Sequence, residues 1–251
     1  MELSNKTLII TGASSGIGAA AAELFAAEGA NLVLGARRER ELEAVAARVR
    51  DGGGQAVARP GDVTNEDYAE TLVALAEERF GRLDGAFNNA GTVGDMAPVP
   101  ELPAETWHAV LETNLGAAFF AAKHQIPALR RGGGGALVFT SSFVGHASAG
   151  LPGMGAYAAA KAGLVGLTRA LAAEHGPEGL RITALLPGGT RTAMAGDDPE
   201  AQAFIAGLHG LKRMAEPAEI AQAALFLLSD RASFVTGAPL LVDGGVSNQL
   251  A

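Results

Sequence analysis

The sequence predicts one α/β domain: a doubly wound, mostly parallel sheet of about seven strands, with helices on both faces. Three observations predict it. Short aliphatic runs alternate with helical segments from one end of the chain to the other, and such alternation needs parallel pairing with helical crossovers. The 251 residues suffice for one sizeable core. No linker or shift in composition marks a second domain, so residues 1–251 are read as a single unit.

The elements follow in order. Thr7–Ile10 is a first strand and Gly16–Glu28 an Ala-rich helix ended by Gly29. Asn31–Leu34 is a second strand, Glu39–Arg50 a charged amphipathic helix stopped by Gly52-Gly53-Gly54, and Ala56–Ala58 a short third strand. Asn65 is placed to cap a helix that runs to about Phe80. Leu83–Phe87 is a strand, and Pro103 to about Arg130 is mostly helix with a possible early turn. Ala136–Phe139 (strand), Ala156–Glu174 (helix), Arg181–Leu186 (strand), Pro217–Leu228 (helix with an acidic first turn) and Pro239–Val242 (strand) complete the chain.

Composition excludes several classes. The net charge is −8 and the pI near 5.2, which is the wrong sign for a nucleic-acid surface. There is no cysteine, hence no disulfide framework and no thiolate site, and the five histidines show no paired metal-ligand spacing. The start of the chain, Met1 to Lys6, lacks a basic leader with a long apolar run, so a cytoplasmic location without membrane association is expected. Gly132–Ala160 carries no charged residue but contains eight glycines and Pro152. It is not a membrane span. It reads either as a surface loop or as an uncharged active-site wall.

Thr11-Gly12-Ala13-Ser14-Ser15-Gly16-Ile17-Gly18 joins the first strand to the first helix. Gly12 permits the sharp turn, while Gly16 and Gly18 allow close approach of a pyrophosphate and of the sheet. The helix N-terminus offers free N–H groups to phosphate. At the end of the second strand, Leu34-Gly35-Ala36-Arg37-Arg38 offers no carboxylate for ribose hydroxyls. Arg37 and Arg38 suit a 2′-phosphate, so NADP(H) is expected over NAD(H). The bland reading is a solvated helix start. Asp62 suits either an adenine amino group or a helix cap. The small residues of Asn88-Asn89-Ala90-Gly91 leave room for a ribose.

Tyr157 and Lys161 share one helix face, four residues apart. A free tyrosine has a pKa of about 10, and a nearby ammonium favours its phenolate. It can then exchange a proton with an alcohol or carbonyl. Ser141-Ser142 ends the fifth strand, where a hydroxyl can bond the same substrate oxygen. Asn114 is a polar amide inside an apolar helix and needs a partner.

Taken together, Thr11–Gly18, Asp62, Asn88–Gly91, Asn114, Ser142, Tyr157-x-x-x-Lys161 and Pro187-Gly188 resemble, in order and over nearly the whole chain, the short-chain dehydrogenase/reductase family with its Rossmann-type fold. The resemblance implies that Tyr157 is the general acid/base and that Lys161 lowers its pKa and binds the nicotinamide ribose. It implies that Ser142 orients the carbonyl and that Asn114 holds a relay water. It also implies that Gly12, Ser14, Ser15, Ile17, Gly18, Asp62, Val63, Asn89, Ala90 and Gly91 line the cofactor. Pro187, Gly188, Thr190 and Thr192 would meet the nicotinamide carboxamide. A homotetramer is implied as well, built from the helices Pro103–Arg130 and Ala156–Glu174. Their small faces (Ala117, Ala118, Ala121, Ala122, Ala158 to Ala160) would permit close approach, and the tail to Ala251 would add a contact. One departure stands out: Ser142 and Tyr157 are 15 residues apart, about two more than is common in the family. Either the loop bulges into a larger substrate wall, which is the preferred reading, or a neighbour replaces Ser142.

The substrate wall is expected from Met96, Phe143, Val144, His146, Met154, Met194 and Phe204, which suits a neutral, partly apolar ketone or secondary alcohol. Residues 190–213 read as a lid or as an ordinary pair of surface helices. The leading function is an NADP(H)-dependent carbonyl reductase, reversible to an alcohol dehydrogenase. A 3-oxoacyl thioester reductase is an alternative that needs basic residues at the mouth, for which Arg130, Arg131, Arg191, Lys212 and Arg213 are available. A non-catalytic NADP-binding sensor is a further one, disfavoured by the intact polar set.

Overall fold

The computed structural model describes residues 1–147 and 151–248. Among them, the seven strands are β1 (Thr7–Thr11), β2 (Asn31–Ala36), β3 (Gln55–Pro60), β4 (Gly85–Asn88), β5 (Gly135–Thr140), β6 (Leu180–Pro187) and β7 (Pro239–Val242). They form one sheet in the order β3-β2-β1-β4-β5-β6-β7, every pair parallel. The order reverses between β1 and β4, which opens a crevice at the carboxyl ends of those strands.

The two faces of the sheet are sorted by the two-residue period of its strands. Leu8, Ile10, Leu32 and Leu34 pack toward α1 (Gly16–Ala27), α2 (Glu39–Asp51) and α8 (Pro217–Leu228), meeting Phe25, Leu42 and Ile220. Ile9, Val33, Leu137 and Phe139 face the other way, onto α3 (Glu66–Phe80), α5 (Ala117–Arg131) and α6 (Gly155–His175), meeting Leu72, Ile126 and Leu164. Burial on both faces explains the unbroken apolar runs of these strands. Asn65 caps α3 by accepting from the Asp67 N–H, and Glu216 and Glu219 form a capping box on α8.

Several strands reach further toward their carboxyl ends than apolar patterning predicts. Thr11 pairs in register with Gly35 and Asn88, and Thr140 with Leu185. Polar residues thus occupy the last rungs, at the lip of the crevice. The expected helix from Pro103 to Arg130 is interrupted at its middle rather than early. It comprises α4 (Ala104–Leu111), one π-helical turn over Glu112–Gly116, and α5. The cause is Asn114, whose Nδ2 donates to the Val110 carbonyl at 2.8 Å and so competes with the backbone for it.

In the segment expected to be a lid, residues 190–213, the chain makes a short turn at Ala193–Ala195 and then α7 (Pro199–Leu208), of which no residue is buried. The expected contact from the tail to Ala251, and residues 148–150 of the loop before Tyr157, lie outside the described residues.

Candidate active site

The crevice floor is glycine because nothing larger fits. Gly12 sits at φ +68°, and a Cβ there would lie 2.9 Å from the Ala90 Cα. One on Gly18 would lie 2.3 Å from the Gly12 carbonyl oxygen. Ser15 is the N-cap of α1 but makes no side-chain capping bond, which leaves first-turn N–H groups directed into the crevice. The Thr11 hydroxyl accepts from the N–H groups of Asn89 (3.1 Å) and Ala90 (3.2 Å), and the Thr140 hydroxyl donates to the Asn89 amide oxygen at 3.3 Å. Asn88 and Gln125 exchange two amide bonds in the core at 2.8 and 3.0 Å. A glycine cradle with unpartnered N–H groups fits a dinucleotide pyrophosphate.

At the adenosine end, the Arg38 guanidinium donates to the hydroxyls of Ser14 (3.0 Å) and Ser15 (2.6 Å). It therefore reaches the glycine loop while standing as the exposed N-cap residue of α2. Arg37 stands 4.0 Å from the Asp62 carboxylate. Asp62 accepts from the N–H (3.0 Å) and hydroxyl (2.9 Å) of Thr64 and leaves the capping of α3 to Asn65. Val63 is half-buried against the core beside α3.

The chemical centre lies where β5 meets α6. Tyr157 and Lys161 are 9 % and 3 % exposed, and the Lys161 Nζ lies 5.4 Å from the centre of the Tyr157 ring. Lys161 donates to the Thr140 carbonyl at 2.7 Å. Burial pushes the Tyr157 phenol up to about 12, with the Ser142 hydroxyl pulling the other way. Burial pulls the Lys161 ammonium down to about 7. The neighbouring serines divide their labour. Ser141 donates to the Lys161 carbonyl at 2.7 Å and is thereby committed to holding α6. Ser142 faces Tyr157 and caps the turn Phe143–Gly145 by accepting from Val144. The long interval between Ser142 and Tyr157 includes residues 148–150, which lie outside the described residues.

The turn after Ser142 lies flat on α6, because a Cβ on Gly145 would come within 2.6 Å of the Ala162 nitrogen. Asn114 donates to the Thr92 carbonyl at 2.8 Å and accepts from the Thr92 N–H at 3.3 Å, which ties the π turn to the loop after Gly91. A Cβ on Gly91 would lie 2.7 Å from the Asn114 Oδ1 and 3.3 Å from the Lys161 Nζ, so Gly91 separates these two groups.

The expected substrate wall is only partly assembled around Tyr157. Val144 and Met154 pack in its cluster, together with Val93, Leu102, Trp107 and Val110. Leu102, Trp107 and Val110 were not among the expected wall residues, because the loop that brings α4 over the site has no local sequence signature. Phe143 is buried, whereas His146, Met96, Met194 and Phe204 are exposed. Gly188 and Gly189 lie against His209, Thr190 is buried, and the Thr192 methyl approaches Gly16.

The basic residues nominated for a phosphorylated carrier are already engaged. Arg130 pairs with Glu178, Arg131 with Glu77, Arg191 with Glu216 and Arg213 with Glu219. Lys212 donates to the Gly207 carbonyl. Of the small faces expected between subunits, Ala159 is exposed and Ala117 and Ala158 are half-buried. Ala118, Ala121, Ala122 and Ala160 are buried within the chain itself, and α5 also exposes Phe119, whose ring lies tilted beside that of Phe120 with centres 5.6 Å apart. Apolar spacing alone does not tell an internal face from an external one. Among the described residues no helix is long and apolar enough to cross a membrane, and no group of three or more His, Asp or Glu is placed to hold a metal.

Comparison with known proteins places this geometry among others like it. A family model described as enoyl-(acyl carrier protein) reductase matches residues 12–247. The chain is 41 % identical over 249 residues to a 2,5-dichloro-2,5-cyclohexadiene-1,4-diol dehydrogenase of Sphingobium indicum, covering 97 % of this chain and 98 % of that one. It is 37 % identical over 248 residues to a cyclohexanol dehydrogenase of an Acinetobacter species, covering 99 % and 97 %. A crystal structure of carveol dehydrogenase from Mycobacterium avium, in complex with NAD, superposes with a TM-score of 0.93 at 30 % identity, covering 98 % of each chain.

Proposed function

The chain belongs to the short-chain dehydrogenase/reductase family, and from that premise we propose that it is an NADP(H)-dependent oxidoreductase of the cytoplasm that interconverts a ring-borne secondary alcohol and its ketone. The observation that carries this reading is the convergence of the Tyr157 phenol, the Ser142 hydroxyl and the Lys161 ammonium in one buried centre beside the glycine cradle.

Gly12, Ser14, Ser15, Ile17, Gly18, Asp62, Val63, Asn89, Ala90 and Gly91 would hold the nucleotide. Pro187, Gly188, Thr190 and Thr192 would flank its nicotinamide. Bound there, the nicotinamide supplies or accepts the hydride. The protein's own part is the proton. In the reductive direction Tyr157 donates its phenolic proton to the carbonyl oxygen, while Ser142 donates a hydrogen bond to the same oxygen and fixes its position. In the oxidative direction the phenolate takes the alcohol proton. Burial opposes that phenolate, the Ser142 hydroxyl eases the cost, and Lys161 in its charged form would offset more of it. Asn114 would hold the water that returns protons to Lys161.

Arg38 over Ser14 and Ser15, with Ala36 where a carboxylate would hold two ribose hydroxyls, supports NADP(H) over NAD(H). The names of the relatives, a cyclohexadiene diol and cyclohexanol dehydrogenase, support a ring substrate. The prior engagement of the basic side chains favours a small neutral substrate over a carrier-bound thioester. Residues 190–213 act as a lid, with Met194 and Phe204 as apolar surface to close on the substrate. Exposed Phe119 supports assembly as a homotetramer through α5.

The test is a panel of cyclic secondary alcohols and ketones assayed with NADPH and NADP+ by absorbance, with Tyr157→Phe alongside. Turnover by the native chain is expected, together with nucleotide binding without turnover in the variant. Undiminished turnover by Tyr157→Phe would overturn the assignment. A monomer by light scattering would overturn the tetramer.

A further inference from the structure

One buried polar side chain plays no part in the chemistry above. His209 ends α7 and is 1 % exposed, although no residue of α7 itself is buried. Its Nε2 accepts from the Gly189 N–H at 2.9 Å, and its Nδ1 lies 2.7 Å from the Ile205 carbonyl oxygen. A backbone N–H can only donate, so Nε2 carries the lone pair. A carbonyl can only accept, so Nδ1 carries the hydrogen. Both ring nitrogens are therefore committed, each to a different segment.

The ring is seated among glycines. A Cβ on Gly188 would lie 2.7 Å from Nε2, one on Gly189 2.9 Å from Cε1, and one on Gly244 3.3 Å from Cδ2. Three segments meet at this side chain: the loop Pro187–Thr190 after β6, the helix α7, and the turn after β7. That turn is held in place by Asp243, which accepts from the N–H groups of Gly245 and Ser247 at 3.0 Å each.

We infer that His209 is a positioning residue that ties the lid helix α7 to the loop Pro187–Thr190, so that the lid and the nicotinamide-facing wall move as one body. The inference rests on the functional reading above, which assigns that loop to the nicotinamide. An imidazole suits the task because it presents a donor and an acceptor on opposite edges of one rigid ring. An apolar replacement leaves the Gly189 N–H and the Ile205 carbonyl without their partner and frees a deeply buried anchor of the lid helix.

The experiment compares native protein, His209→Leu and His209→Gln. Glutamine also offers one acceptor and one donor at its tip. Three quantities are read: KM and kcat for a substrate from the panel, NADPH affinity by fluorescence titration, and the rate of tryptic cleavage at Arg191, Lys212 and Arg213 with and without NADPH. For His209→Leu the expected result is a KM and an NADPH Kd each raised about tenfold, with kcat changed less. Its lid should be cleaved faster without nucleotide, and NADPH should fail to protect it. His209→Gln should recover to within about threefold of native. A folded His209→Leu with native KM, Kd and protection overturns the inference, as does a His209→Gln no better than His209→Leu. Failure of the native chain to bind any nicotinamide nucleotide overturns the functional reading instead. The tie is then judged on cleavage without nucleotide alone: faster cutting of His209→Leu supports it, and equal cutting overturns it.

Discussion

The ammonium nitrogen of Lys161 lies 5.4 Å from the centre of the Tyr157 ring, in a pocket where both side chains are almost wholly withdrawn from water. Burial therefore opposes charge on either of them. The phenol goes up to about 12 and the ammonium down to about 7.

The Lys161 shift makes stability depend on pH with a definite sign. Unfolded, Lys161 titrates near its ordinary 10.5; folded and without nucleotide, near 7. Between these values the unfolded chain binds more protons, so stability rises with pH across that window, and the full penalty is present below it. Tyr157 contributes in the opposite sense, and only above about pH 10. Lys161→Met should therefore flatten the rise in unfolding free energy measured by urea titration between about pH 7 and 9.5, where the ceiling is about 1.4 kcal/mol per pH unit. A slope matching that of the native protein would sink this assignment.

Ser141 and Ser142 are adjacent but bound to different partners, and their alanine variants should fail differently. Ser141→Ala loses the bond to the Lys161 carbonyl and leaves that acceptor buried, at a cost of about 1–3 kcal/mol in stability, with kcat changed by less than about tenfold. Ser142→Ala should lose the cap on the Val144 N–H, at about 1 kcal/mol, and roughly 10²-fold or more in kcat, in line with removal of one donor to the reacting oxygen. Paired melts and turnover assays check this. A catalytic loss larger in Ser141→Ala would transfer the role to the other serine.

Arg38 is expected to read the nucleotide rather than to stabilise the fold. It is exposed, and among the described residues its side chain bonds to the Ser14 and Ser15 hydroxyls alone. Arg38→Ala should lower kcat/KM for NADPH about 10- to 100-fold, as expected for loss of a charge-assisted phosphate contact, and leave the value for NADH within about threefold. An equal loss with both nucleotides would contradict the 2′-phosphate role, and so would a native enzyme that prefers NADH.

Much of this site was legible because its parts obey local rules. Ser142 and Asn89 stand at or just beyond strand ends, and Tyr157 and Lys161 are separated by one helical turn. Strand alternation and the glycine loop follow from apolar period and backbone space. What the sequence hid depends on contacts without a residue signature. Lys161 is held by the backbone carbonyl of Thr140. The π turn exists because one amide took the Val110 carbonyl, which leaves the helical pattern of residues 103–130 intact. Ala118 and Ala122 pack into the core beside α3. His209 stands in the segment 190–213 with no flanking motif to mark it.

Gly91 supplies the most selective test of the proton path. A Cβ there would stand 2.7 Å from the Asn114 Oδ1 and 3.3 Å from the Lys161 Nζ, in the space between the two polar groups that the relay must connect. Asn114 commits both amide hydrogens, to Thr92 and Val110, and its oxygen accepts from the Thr92 N–H, so the second lone pair of that oxygen is what would serve the relay. Gly91→Ala and Asn114→Ala should both lower kcat by about tenfold or more, the scale of impaired general acid/base transfer, and the loss should deepen where proton return limits turnover. Asn114→Ala should also destabilise the fold by about 1–3 kcal/mol, since the Val110 and Thr92 carbonyls lose their donor. The loss from Gly91→Ala should be mainly catalytic if the neighbours yield by a few tenths of an ångström. Steady-state rates across pH, with urea titrations of both variants, separate these effects. A native kcat in Gly91→Ala would show that the proton does not pass between Asn114 and Lys161.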